Sequence, residues 1–304
     1  MTLRLSFLGL AALTASSLSP ICAANPVPTT NPIWCIRVYP NQLQSGVAAD
    51  LLKSLGAPPL TGSFNGIDAS ALESFEVIGV DSSASDKPFF ADLQFQPGSG
   101  AAAKVLDATA KQENVVAEDL AGHRAVHFAV PAKKSAEVWL AQSDNDHIVL
   151  GQDRSTVEAA LNRPPNAPDP LGERRKDELV GGIVDVARLK NEIGDSDLLA
   201  MIQHLEFHID SSKDMLHLVA SATMADDRGV KRAARMIEGI ITIISLQDED
   251  SKERSLDERV RVTAKGGRLE LDVNLDAKES QELIQSLTDG LLRGHESNGH
   301  KLHR

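Results

Sequence analysis

The sequence is poor in the residues that most often form covalent cross-links or aromatic binding surfaces. Its 304 residues include two cysteines, two tryptophans and one tyrosine. If Cys22 leaves with an N-terminal leader, only Cys35 remains, and no intramolecular disulfide can form. A chain of this length does not need one, because a domain of about 150 residues buries roughly 70% of its unfolded surface. Cys35 lies in the strand-like run Ile33–Val38, so we expect a buried and unreactive thiol.

The short motifs of common catalytic and nucleotide-binding sites are also missing. The sequence has no Gly-x-Ser-x-Gly turn, no glycine-rich loop ending in Gly-Lys-Ser/Thr and no Rossmann glycine pattern. His295-Glu296 begins like a zinc motif, but His300 lies one position too far along to share its helical face. The segment Asp144–Asp146 lacks the glycine and glutamate of a calcium loop and predicts a polar turn. We therefore expect no cofactor and favour a protein without catalytic activity over an enzyme with an unrecognised site.

The N-terminus carries the pattern of a secretory signal. Arg4 precedes the apolar stretch Leu5–Leu13, and Cys22–Ala24 offers small residues for a cleavage site. This pattern predicts a cleaved signal over residues 1–24, with an uncleaved anchor as the alternative. The stretch is shorter than the roughly 20 residues of a transmembrane helix. We expect a soluble protein exported to the periplasm or the exterior, without integral membrane insertion after cleavage.

The charge balance limits the classes of partner. The net charge is −12, and it becomes −13 when Arg4 is removed with the signal. Nucleic acid must be met by clustered lysine and arginine, so we expect no nucleic-acid partner. The chain also lacks the basic amphipathic helix of proteins that bind anionic membrane surfaces. The partner that we expect is another protein or a small molecule of unknown identity.

One amphipathic stretch, Asp226–Leu246, predicts the principal helix. Its apolar positions recur at intervals of three and four residues: Val230, Ala233, Ala234, Ile237, Ile240, Ile241 and Ile244. The opposite side is charged: Arg228, Lys231, Arg232, Arg235 and Glu238. Such a stripe packs against a core. Asp226 and Asp227 are placed to cap the helix N-terminus.

The order of predicted elements suggests an α+β fold with an internal duplication. We expect two similar modules, each an antiparallel sheet with helices packed on one face. The proline-rich segment around Pro164–Pro170 predicts the linker between them. The expected organisation is a tether at 25–32, a first module at 33–163, a linker at 164–178, a second module at 179–293 and a disordered, histidine-containing tail at 294–304.

The expected elements follow from apolar patterns and from glycine or proline breaks. The strands are Ile33–Tyr39, Phe75–Val80, Phe89–Phe95, Val115–Leu120, Ala125–Val130, Ala136–Gln142, His147–Leu150 and Gly181–Leu189, followed by the hairpins His204–Met224 and Arg259–Asp276. The shorter helices are Val47–Leu55, Ala101–Lys111, Arg154–Leu161, Asp197–His204 and Lys278–Leu292.

Two hairpins have a predicted register. A turn at Gly266-Gly267 pairs Ala264 with Leu269, Val262 with Leu271 and Val260 with Val273. A turn at Ser212-Lys213 pairs Ile209 with Leu216, Phe207 with Leu218 and Leu205 with Ala220. Both registers collect the apolar side chains on one face of the sheet.

The second register generates the only candidate site. It places His208 opposite His217 on the solvent-facing side, with Glu206 diagonal to them. Opposed side chains have Cβ atoms about 5 Å apart, so His208, His217 and Glu206 are candidate metal ligands. Solvated histidines without a ligand are the alternative.

Three segments carry a family resemblance. Arg37-Val38-Tyr39-Pro40, Leu60-Thr61-Gly62 with Gly66-Ile67-Asp68, and the isoleucine-rich helix before Gly266-Gly267 resemble uncharacterised exported proteins of planctomycete-type bacteria. The resemblance covers most of the chain after the signal. It implies export and paired α+β modules, and it supplies no activity, catalytic residue or cofactor.

These observations favour an exported binding or interaction protein without catalysis. A structural or envelope-assembly component is the second possibility. A hydrolase with an unrecognised acid or metal site is the third. A concave acidic cleft would favour the hydrolase, and a large apolar patch would favour assembly.

The predicted helix stripe can be tested by two substitutions. Ile237→Asp should unfold the second half of the protein, because it buries a charge without a partner. The cost is several kcal/mol, and the whole free energy of unfolding of a typical protein is only about 5–15 kcal/mol. Arg235→Asp, on the charged side, should change the free energy of unfolding by only about 0.5 kcal/mol. Thermal melting compares the two variants, and equal melting temperatures would show that the stripe is misassigned.

Overall fold

The chain forms a large antiparallel sheet with a few helices. The computed structural model describes residues 32–44, 46, 48–49, 63–64, 67–80, 89–129, 137–164, 169–193, 200–212, 215–247, 259–276 and 278–280. The predicted signal and the predicted histidine-containing tail lie outside these residues, as does the tether up to its last residue. So do most of the predicted helices at 47–55 and 278–292.

The described part contains fourteen strands and four α-helices. The strands are β1 Pro32–Val38, β2 Ser63–Phe64, β3 Ile67–Asp68, β4 Leu72–Val80, β5 Phe89–Phe95, β6 Val115–Leu120, β7 His123–Ala129, β8 Glu137–Gln142, β9 His147–Gly151, β10 Glu178–Asp185, β11 Ile202–Ser211, β12 Met215–Met224, β13 Val260–Lys265 and β14 Arg268–Asp276. The helices are α1 Ala101–Ala110, α2 Arg154–Leu161, α3 Val186–Ile193 and α4 Asp227–Gln247. Short 3₁₀ turns occupy Gln42–Gln44 and Ala69–Ala71.

Twelve of these strands form one sheet, and β2 and β3 form a separate pair. The order in the large sheet is β13-β14-β12-β11-β10-β1-β4-β5-β9-β8-β7-β6. Every neighbouring pair in it is antiparallel. Strand β1 pairs with β4 on one side and with β10 on the other, so it joins the two halves of the chain into a continuous sheet.

The two faces of the sheet differ in composition. We call the face that carries Cys35 and Arg37 of β1 face A, and the face that carries Trp34 and Ile36 face B. Opposed residues in a ladder share a face. In β10–β14, face B is mostly apolar, and α4 packs on it through Val230, Ala233 and Ala234. Face A of these strands carries mostly polar side chains.

The first half covers both faces with helices. Helix α1 packs on face B through Leu106, and α2 packs on face A through Val157. This differs from the predicted arrangement, in which helices lie on one face only. The physical reason is that strand His147–Gly151 is apolar at Ile148, Val149 and Leu150 in succession, which suits a strand buried on both faces.

Two predicted elements extend over residues that belong to a different element in the structure. The predicted strand Gly181–Leu189 starts earlier, at Glu178, and ends at Asp185, after which α3 begins. The predicted helix Asp197–His204 continues into residues that belong to β11, because Ile202–His204 are strand. The long backbone pairings of β11 with β10 and β12 outweigh the local helical preference of these residues.

Helix α4 agrees with the sequence prediction. Asp226 accepts a hydrogen bond from the Gly229 amide at 2.6 Å, which caps the helix. Ile237 packs against the core of face B, whereas Arg235 is exposed. In the described part of the chain, no helix is long and apolar enough to cross a membrane.

Glycines beside β1 allow aromatic rings to lie across the sheet. A Cβ at Gly79 would come within 2.1 Å of the Trp34 indole, and a Cβ at Gly182 within 2.3 Å of the Phe207 ring. Gly79 lies opposite Trp34 in the β1–β4 ladder, and Gly182 lies opposite Phe207 in the β10–β11 ladder. The rings therefore occupy the space that side chains at these glycines would take.

This packing predicts a non-additive pair of substitutions. Gly79→Ala should lower the free energy of unfolding by about 1–3 kcal/mol, because it overpacks the indole of Trp34. In the Trp34→Ala background the same substitution should leave the free energy of unfolding unchanged or raise it slightly. The reason is that glycine within a strand is destabilising relative to alanine by roughly 0.5–1 kcal/mol. Urea titration of the four proteins gives the coupling energy. Additive effects would show that the ring does not rest on Gly79.

Candidate functional site

The candidate site is face A of strands β10–β14, which we call the open face. Alternate residues of each strand project onto it, as the pairing registers require. Its carboxylates are Glu178, Asp185, Glu206, Asp210, Glu270, Asp272 and Asp276. Its permanent cations are Arg261, Lys265 and Arg268, and its histidines are His204, His208 and His217.

A buried carboxylate–histidine pair lies where β10 meets β11. His208 Nδ1 is 2.6 Å from Glu178 Oε1, and both residues are only 5% exposed. The other ring nitrogen is 3.1 Å from Glu206 Oε1. The ring can donate to both carboxylates only when both of its nitrogens carry a proton. A buried charge requires such partners, so the three side chains act as one unit.

A glycine makes room for this unit. A Cβ at Gly181 would lie 2.5 Å from Glu178 Oε1 and 3.4 Å from His208 Nδ1. Gly181 faces A and its neighbour Gly182 faces B, so the Gly-Gly pair in β10 admits Glu178 on one face and Phe207 on the other. The adjacent glycines in an apolar strand were the sequence signal for a close approach at this point.

The polar contacts continue across the open face toward β14. Glu206 Oε2 is 3.4 Å from the Arg268 guanidinium. Arg268 also donates to the Ser221 hydroxyl on β12 and lies 3.6 Å from Glu270. These side chains are about half exposed, so each ion pair contributes little to stability, but together they fix the orientation of the charges.

His217 forms a second histidine–carboxylate contact. Its Nε2 is 3.1 Å from Asp272 Oδ1, and its Nδ1 is 3.7 Å from Asp210 Oδ2. Burial raises the pKa of Asp210 above its usual value. Asn274 donates to Asp272 at 2.9 Å and helps to hold that carboxylate in place.

The predicted opposition of His208 and His217 is wrong. His208 lies opposite Val219, and His217 lies opposite Asp210. The register differs by two residues from the predicted one, and a slip of two residues leaves every side chain on its original face. His208 is also buried, whereas the sequence predicted an exposed position for it.

The three candidate metal ligands consequently do not meet at one point. Glu206 contacts His208, whereas His217 contacts carboxylates of β11 and β14. Among the residues that the structure describes, no three His, Cys, Asp or Glu side chains are arranged to hold a metal ion. The segment Asp144–Asp146 forms a turn in which Asp144 accepts from the Asp146 amide at 2.8 Å. The predicted polar turn is confirmed.

A second polar cluster lies on face A beside the junction of the halves. Arg37 donates to Glu76 at 2.9 and 2.6 Å and to Asp169 at 2.7 Å. Burial would raise the pKa of Asp169, but its hydrogen bonds, first that from Arg37, hold the pKa below its usual value. Arg174 lies over the Tyr39 ring at 3.9 Å. Residues 169–174 of the predicted linker therefore pack on β1 and its neighbours.

Cys35 belongs to this cluster and has no exposed surface. Its thiol donates to Glu76 Oε1 at 3.0 Å. Burial, reinforced by the charge of Glu76, raises the pKa of Cys35 far above its ordinary value. The thiolate is the nucleophilic form, so the arrangement suits a structural thiol. The expectation of burial is confirmed.

Comparisons with known proteins add a likeness in fold. No protein-family model matches the sequence, and no curated protein matches it. Crystal form III of TP0453, a spirochaete protein, superposes with a TM-score of 0.51 at 9% identity, covering 87% of this chain and 99% of that chain. Crystal form I gives 0.47 at 10% identity, covering 88% and 98% of the two chains. Crystal form IV gives 0.47 at 11% identity, covering 89% and 98%.

The form III likeness supports the mixed α+β fold and carries no information on activity or partners, because the identity is low. None of the matches bears on the resemblance to planctomycete-type proteins, which stays a prediction.

The buried pair on β10 and β11 has a measurable energetic signature. Glu178→Ala should lower the free energy of unfolding by about 3–5 kcal/mol, because it leaves His208 buried without its closest partner. The matched control Glu206→Ala removes a half-exposed partner of the same ring and should cost about 1 kcal/mol or less. Urea titration at neutral pH distinguishes the two. Equal losses would mean that Glu178 is not the principal partner of His208.

Proposed function

We propose that this chain is an exported, non-catalytic binding protein whose open face takes a protein partner with a basic surface. The charge of that face carries the proposal. Seven carboxylates and three permanent cations lie on that face of the described strands, and the difference of four negative charges exceeds what its three histidines can carry. The face is therefore acidic and complementary to lysine and arginine side chains.

The support for the open face also favours recognition. Each of its strands is fixed by hydrogen bonds to two neighbours, apart from the edge strand β13. Helix α4 covers the apolar face B opposite it. A surface held in this way presents its charges in fixed positions, which reduces the ordering cost of binding.

The histidine chemistry supports binding in preference to catalysis. Both ring nitrogens of His208 lie against carboxylates, and the ring is buried. A general base must reach the proton that it removes from a substrate or a nucleophile. The contacts at His208 therefore suit a charge-positioning role. We also propose that the two halves arose as similar α+β modules by duplication.

Export and binding can be tested together on the native protein. The mature chain should be recovered with its N-terminus near Asn25 by intact mass. Immobilised on a sensor, it should bind an oligolysine peptide and lose that binding as the salt concentration rises. Oligoserine serves as the uncharged control peptide.

The position of the surface is tested by matched charge reversals. Glu270→Lys with Asp272→Lys on the open face should weaken oligolysine binding at least tenfold. Asp107→Lys with Glu113→Lys changes the net charge equally on the first half and should weaken it less than twofold. Equal losses in both variants would mean that overall charge, and not the open face, attracts the peptide. Envelope proteins captured by the native chain but not by the open-face variant are the partners to identify.

A further inference from the structure

The two edges of the large sheet are complementary in direction. Within the described residues, β6 pairs only with β7, and β13 pairs only with β14. The sheet has twelve strands and every ladder is antiparallel, so the first and last strands run in opposite directions. A second copy placed beside the first in the same orientation therefore sets its β13 antiparallel to β6. Free edge strands offer unpaired amide and carbonyl groups to such a neighbour.

The edges also carry opposite charge. Strand β6 has Glu118 and Asp119 and no basic residue, whereas β13 has Arg261 and Lys265 and no acidic residue. Two β6 edges repel each other, as do two β13 edges, so the charges disfavour symmetric pairing and favour pairing of unlike edges.

One register matches the charges on face A, although it also sets Asp119 opposite Val260 on face B. Glu118 and Val116 lie on face A of β6, and Arg261 and Thr263 lie on face A of β13. Placing Glu118 opposite Arg261 brings Val116 opposite Thr263. The same register sets Ala117 opposite Val262 and Val115 opposite Ala264, which are small or apolar pairs on face B. Val116 is 51% exposed, the highest value among the large hydrophobic side chains described.

The helices in the described part of the chain leave room for this contact. On face B, α1 lies over β6–β8 and α4 lies over β13 and β14. With strands about 4.8 Å apart, α1 above β7 and α4 above β13 would be two strands, or roughly 10 Å, apart. Packed helices have similar separations. A cavity of about 670 Å³ also borders β13, lined by Arg261 and Val262 of the strand and by Glu238 and Ile241 of α4.

We propose that β6 of one copy pairs with β13 of the next, so that the partner at these edges is a second copy of this chain. The contact is head-to-tail. Each added copy leaves one free β6 and one free β13, and the sheet twist rotates successive copies in the same sense, so the assembly extends as an open chain. This inference does not depend on the partner proposed for the open face.

Sedimentation of the mature protein over a range of concentrations tests the assembly. The native chain should form a concentration-dependent series of multiples. Val116→Arg places a cation against the basic β13 edge, and Arg261→Glu places an anion against the acidic β6 edge. Each variant alone should sediment as a single chain, because each lacks one of the two edges.

A mixture of the two variants tests whether the two edges pair with each other. The Val116→Arg protein retains a native β13, and the Arg261→Glu protein retains a native β6, so the mixture should form a one-to-one dimer and nothing larger. Arg235→Glu on the exposed side of α4 is the control and should assemble like the native chain. Circular dichroism melts verify that each variant is folded.

Three outcomes would overturn the proposal. A native chain that stays a single species at every concentration excludes the contact. Dimers formed by either variant alone indicate a symmetric interface elsewhere. Hydrogen exchange gives an independent readout, since amides of β6 and β13 should gain protection with concentration, and protection gained only in other strands contradicts the pairing.

Discussion

The double pairing of strand β1 is the constraint on which the rest of the structure depends. Its ladders with β4 and β10 are the connection through which the two halves share one sheet. Glycines in the neighbouring strands let the Trp34 and Phe207 rings lie flat across the sheet on face B. On face A, Gly181 leaves space for the Glu178–His208 pair. The centre of the sheet is therefore specified by where side chains are absent as much as by where they are present.

The halves use the two faces of this sheet differently. In the first half, α1 and α2 cover opposite faces and the strands between them are buried. In the second half, α4 packs on face B, and the described strands place most of their charged side chains on face A. Residues 169–174 lie beside the boundary between the two halves. The ion pair of Arg37 with Asp169 and the contact of Arg174 with the Tyr39 ring hold them there. The segment between the halves is therefore packed in part against the sheet that it connects.

The two proposed contacts are geometrically compatible. Head-to-tail pairing continues face A of one copy into face A of the next, so the open faces would recur along the twisted sheet, separated by first halves that α2 covers. Linked binding sites raise the apparent affinity without new contacts, provided that a partner can span them. Several acidic faces can thus act together on one partner.

Local chemistry determined much of the fold at the level of elements. Alternation predicted Phe89–Phe95, and three- and four-residue spacing predicted α4, because a side chain's direction follows directly from the period of its element. Arg154–Leu161 and Val115–Leu120 also have their predicted bounds. The turn at Gly266-Gly267 fixed the β13–β14 register, since both glycines adopt a positive φ that the tight turn requires.

Tertiary structure alone decided the features that bring distant residues together. The β11–β12 register was not determined by sequence, because an alternating pattern is unchanged by a slip of two residues. Glu206 and the histidine positions were recognisable as polar, but Glu178 lies 30 residues from His208, so their contact depends on the β10–β11 ladder. The place of β1 between β4 and β10 is likewise a long-range choice. Pairing of distant strands is governed by the packing of the whole sheet, which no local window of the sequence contains.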